Sequence, residues 1–122
     1  MRMLLGLLLG AHAIAHLPGF LYSWRWMSEP GGQYRTTILG GRVNVGAVGI
    51  RVVGVFWLLA AVAVGVAAVH MFRLTQNAVT LTWIAVTLSS IMTIVGWPGT
   101  KTGVVLNAVI IASLVWVALA SR

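Results

Sequence analysis

Residues 3–24 read MLLGLLLGAHAIAHLPGFLYSW, and this stretch decides how the rest of the chain is to be read. It contains no Asp, Glu, Lys or Arg, and at about 1.5 Å per residue it is long enough to cross a bilayer as a helix. A signal peptide would share its leading Arg2 and apolar core. However, no small-x-small cleavage site follows, and the run ends in Phe20, Tyr22 and Trp24, as a retained first helix would. Within it His12 and His16 are four residues apart, so both imidazoles leave one face of the helix. Polar side chains inside hydrocarbon are rare and often functional, which makes this pair the first place to look for chemistry.

Three further apolar runs follow, at about 52–72, 78–97 and 103–120. With 60% hydrophobic and 7% charged residues the chain falls outside the range of soluble domains. Backbone groups in lipid have to be bonded within their own segment, so continuous apolar runs become helices; barrel strands would alternate at period two. The expected fold is an all-α, integral membrane four-helix bundle, a single domain over 1–122 with one longer first loop, 25–51. The net charge of +7 belongs to eight cations scattered over helix ends, not to a basic run. It points to membrane lipids as partners and not to nucleic acid. The absence of Cys excludes disulfides, thiolate chemistry and Cys-ligated metals.

Arg2, Arg73 and Arg122 lie on one side of such a bundle. Arg25, Arg35, Arg42, Arg51 and Lys101 lie on the other, with the single acid, Glu29. The excess places the first and third loops in the cytoplasm and both termini outside an inner or plasma membrane. Small residues mark helix-packing faces: Gly6 and Gly10 on the first helix, and Gly54, Ala61 and Gly65 on the second. Pro18 predicts a kink or an early end of the first helix. The second half of the first loop, TTILGGRVNVGAVGIR, is apolar enough to lie at the interface or over the bundle mouth. His70, beside Arg73, reads as an interfacial residue with a wet tip.

Counting helical rise from the first-loop side places His16 about 12 Å deep, Ser89 and Thr93 roughly 6–12 Å, and Asn107 about 6 Å. His12 falls near the midplane. If their faces converge, His12, His16, Ser89, Thr93 and Asn107 are candidate ligand-binding residues. Several roles for the histidine pair stay open. Zinc would require further ligands, and the spans hold no Asp, Glu or Cys. Haem would require axial ligands on different helices at one depth. Hydrogen bonding to a quinone or lipid, and structural bonding between helices, need neither. No catalytic constellation is visible: there is no Cys, no buried acid to orient a histidine and no nucleophile elbow. No metal site is assigned, and no membrane carboxylate is present for proton pumping.

Three stretches also carry a likeness: AHAIAHLPGF (11–20), GIRVVGVFWLLAA (49–61) and GWPGTKTGVVLNAVIIA (96–112). Together they resemble a family of small, uncharacterised bacterial four-helix membrane proteins, loosely similar in layout to the DoxX-like group. In the third stretch Trp97, Lys101, Gly103 and Asn107 match the recurrent pattern, while Pro98-Gly99-Thr100 replaces the acidic residues common after the tryptophan. The resemblance implies the architecture, draws attention to His16 and Asn107, and implies no reaction. The expected function is non-catalytic: an accessory or structural subunit of a larger membrane complex, or a self-associating bundle. The alternative is a binder of a hydrophobic small molecule (quinone, lipid or haem) in an intramembrane pocket near His16 and Asn107.

Overall fold

The computed structural model describes residues 1–120, so Arg122, counted above among the charges of one side, lies outside the described residues. Four helices form the bundle: α1 (Arg2–Ser23), α2 (Gly46–Phe72), α3 (Ala78–Val95) and α4 (Lys101–Ala120). Each is long and apolar enough to cross a membrane. Their outward faces carry large aliphatic and aromatic side chains, among them Leu4, Ile14, Phe56, Ile84, Val105 and Trp116. In water these would be costly; in hydrocarbon they are the solvent-matched surface.

α1 continues as helix past Pro18 to Ser23, so the early end that the proline allowed does not occur. The ring deprives the Ile14 carbonyl of its helical donor. The next turn restores local bonding, with the Ser23 hydroxyl donating to the Gly19 carbonyl at 2.6 Å. α2 starts at Gly46, six residues before the apolar run suggested. Arg51 masks the helix in a hydropathy reading. In the fold its guanidinium lies over the Trp24 ring (5.8 Å), and the Trp24 indole N–H donates to its carbonyl (3.1 Å). Asn44 supports the early start, accepting the Gly46 N–H and the Thr36 hydroxyl on its Oδ1.

The first loop therefore spans 24–45 and contains a two-stranded antiparallel hairpin, β1 (Thr37–Ile38) and β2 (Val43–Asn44). Its turn needs left-handed backbone at Leu39, Gly40 and Gly41, which the two glycines adopt without strain. Leu39 is held there by a bond from its N–H to the Val95 carbonyl (2.9 Å), at the end of α3. The hairpin is thus fastened to the bundle and is not a free linker.

Glycines set how closely α1 and α2 approach. A Cβ on Gly54 would stand 2.6 Å from the Ser23 Cβ, and one on Gly19 2.4 Å from the Trp57 ring. Gly6 faces Phe72, and Gly65 lies beside Ala13. Ala61 is buried, whereas the place of a Gly10 side chain is open. The small-residue faces are in this way mostly occupied within the chain.

The interior has two parts. Leu5, Leu9, Val64, Ala67, Ala68, Met71, Ala78, Ala85, Val86, Ile110 and Leu114 make a dry aliphatic core in the half nearer the termini. Towards the first and third loops the core thins to Trp57, Ala60 and Met92, and polar side chains take over.

Candidate functional site

The buried stripe of α1 runs Leu5, Leu9, His12, His16, at steps of four, three and four, so the histidines continue the core face. α3 brings Ser89 and Thr93 to the same place, and α4 brings Asn107. Asn107 reaches inward because of Gly103, one turn before it. A Cβ there would meet the Thr93 methyl at 2.7 Å, so glycine lets α4 close on α3 at this level.

These residues form a hydrogen-bonded cluster. The His16 Nδ1–H donates to the His12 carbonyl (2.9 Å). Ser89 Oγ stands 2.9 Å from His16 Nε2, from His12 Nε2 and from Asn107 Oδ1. His12 Nε2 is also 2.9 Å from Asn107 Oδ1. The asparagine is oriented from its other end: Thr93 gives its hydroxyl hydrogen to the Ser90 carbonyl, so its oxygen can only accept, from Asn107 Nδ2 at 3.4 Å. Asn107 Oδ1 therefore faces the histidine and serine. The Thr100 hydroxyl extends the cluster towards the third loop by donating to the Thr93 carbonyl.

The cluster fixes the tautomers. A carbonyl only accepts, so the His16 proton sits on Nδ1. Facing the acceptor Oδ1, His12 carries its proton on Nε2. That leaves His12 Nδ1 as a buried nitrogen without a hydrogen-bond partner. For a metal or haem iron only this nitrogen is free. A two-histidine ligand set would require dismantling the cluster, and among the described residues no third His, Cys, Asp or Glu joins the pair.

His12 and His16 also line a cavity of about 780 Å³. α2 contributes Ile50, Val53 and Trp57 to its wall, α4 contributes Leu106, and the loop closes over it with Glu29, Arg35 and the hairpin turn. Glu29 and Arg35 are within ion-pair distance of each other, at 3.7 Å. The Trp57 ring meets His16 edge-on at 5.4 Å.

All five candidate ligand-binding residues are thus brought together: His12, His16, Ser89 and Asn107 bond directly, and Thr93 holds the asparagine. His70 lies apart, its Nδ1 2.8 Å from Thr75 Oγ1 in the second loop. Trp57 and the hairpin turn escaped the sequence reading. The early start of α2 at Gly46 is what puts Trp57 roughly 17 Å down the helix, too deep for an interfacial belt; counted from the apolar run at 52 it lies only about 8 Å in. The hairpin's place had no signal in the sequence. No protein-family model matches the chain, nor does any curated protein or solved structure.

Proposed function

We propose that this protein binds a small amphipathic molecule inside the membrane, in the cavity between the histidine cluster and the first loop. One observation carries the reading. A cavity of about 780 Å³ joins an apolar wall (Ile50, Val53, Trp57, Leu106) to the buried edge of His16. Ligand sites are commonly roughly 300–1,000 Å³, mostly apolar, with a few placed polar groups. A quinone-like ring or a lipid with a carbonyl or hydroxyl head suits such a lining. A haem suits it less, since both Nε2 atoms are engaged. The proposed role is binding, with no covalent step in it.

The test is native mass spectrometry of the protein taken gently from its own membrane, beside a Val53→Trp variant. The indole projects from the α2 wall into the cavity and takes up part of its space. Expected is one small-molecule mass on the wild type that the variant lacks. A bare wild-type chain, or equal retention by both, overturns the reading.

A second reading, an accessory subunit or self-associating bundle, is favoured by α4. Its buried residues are Asn107, Ile110 and Leu114, one stripe, leaving Val105, Val109, Trp116 and Leu119 to lipid or to another protein. The same mass measurement reads it, as added protein mass. The first-loop side holds Arg25, Arg35, Arg42, Arg51 and Lys101, which supports a cytoplasmic cavity mouth and external termini in an inner or plasma membrane. Since the chain has no Cys, single cysteines at Ser28 and Gln76 would report each side by labelling in intact cells. Labelling of Ser28→Cys by an impermeant reagent from outside would reverse the orientation.

A further inference from the structure

We propose that His16, Ser89, Asn107 and His12 form a site for one exchangeable proton, taken up on His16 Nε2 as the Ser89 hydroxyl turns from His16 to Asn107. The argument is a count of hydrogens. Four contacts of 2.9 Å link His12 Nε2, Ser89 Oγ, His16 Nε2 and Asn107 Oδ1. With both imidazoles neutral only two hydrogens are available to these contacts. The Ser89 O–H points at His16 Nε2, and the His12 N–H lies between Ser89 Oγ and Asn107 Oδ1. The serine and asparagine oxygens then face each other at 2.9 Å with no hydrogen of their own between them.

One added proton completes the set. His16 Nε2–H donates to Ser89 Oγ, the Ser89 O–H turns to Asn107 Oδ1, and the His12 N–H stays shared between those two oxygens. No bond between heavy atoms changes and no heavy atom has to move. Water reaching the cavity that His16 lines supplies the proton, and release returns it there. The charge is accommodated locally, because His16 Nδ1–H already donates to the His12 carbonyl. The titratable groups sharing the cavity with the pair are Tyr22 of α1 and Glu29 and Arg35 of the loop; α2, α3 and α4 present none to it.

The proton site does not depend on the cavity holding a ligand, so each reading can fail without the other. The experiment is nitrogen-15 NMR of histidine-labelled protein in lipid nanodiscs, from pH 9 to pH 5, with His70→Gln to remove the peripheral signal. Imidazole nitrogen shifts report tautomer and charge directly. Expected is a His12 that stays neutral with its proton on Nε2, and a His16 that passes in one step from Nδ1–H to the imidazolium. In Ser89→Ala, with folding checked by circular dichroism, the His16 midpoint falls by a pH unit or more, because the charge-assisted bond lost by the imidazolium is stronger than the neutral bond lost by the imidazole. A His16 neutral down to unfolding, a proton taken by His12, or a midpoint indifferent to Ser89 would each overturn the proposal.

Discussion

The two halves of the bundle are built from the same four helices and solve the same packing problem in opposite ways. Near the termini Leu9, Val64, Met71, Ile110 and Leu114 fill the interior with aliphatic side chains. Near the first loop the same stripes of α1, α3 and α4 continue as His12, His16, Ser89, Thr93 and Asn107. The dry half is held by close contact, which is the main attraction between helices in lipid. The polar half is held by directional bonds, each of modest worth, and leaves a cavity beside it. The difference teaches that in this chain core and site are one surface, divided by chemistry and not by position on the helix.

Removing contact from the dry half should have the largest effect. Leu9→Ala is expected to cost about 3 kcal/mol, mostly lost packing, read as lowered thermal stability in detergent. An effect below that of the polar-half variants would reverse the comparison. Asn107→Leu comes next. It leaves the His12 N–H with Ser89 Oγ as its one acceptor and the Thr93 hydroxyl without its donor, for about 2 kcal/mol by the same measurement. It should also free the His12 tautomer, visible as mixed nitrogen shifts. Val53→Trp, which extends into space already present, should keep stability within about 1 kcal/mol of wild type while abolishing ligand retention. Smallest of all is Thr82→Val. Thr82 is a buried hydroxyl on the dry side that bonds only back to the Ala78 carbonyl at 2.7 Å. Replacing it should change stability by less than about 0.5 kcal/mol. A large loss there would mean that hydroxyls matter equally in both halves.

Much of this was legible in the sequence because membrane helices have a fixed rise and period. The four spans follow from run length, and depth counting alone puts His16, Ser89, Thr93 and Asn107 in one leaflet. Which face meets which neighbour is a different kind of information. Gly6 and Gly10 look equivalent in sequence, yet Gly6 packs on Phe72 while the place beside Gly10 is open. Arg51 hid the first turns of α2 because hydropathy cannot see a guanidinium resting on Trp24. The hairpin was invisible for a similar reason: two strands of two residues carry no periodicity, and what fixes them is a bond to the end of α3.

That bond has a consequence of its own. The Leu39 amide is the tie between the hairpin turn and the Val95 carbonyl, so its hydrogen is shielded only while the loop sits down on the bundle. Deuterium uptake at this amide therefore counts openings of the mouth, one residue acting as the clock of the site. A ligand that fills the cavity should slow that clock, and Val53→Trp should slow it without any ligand at all.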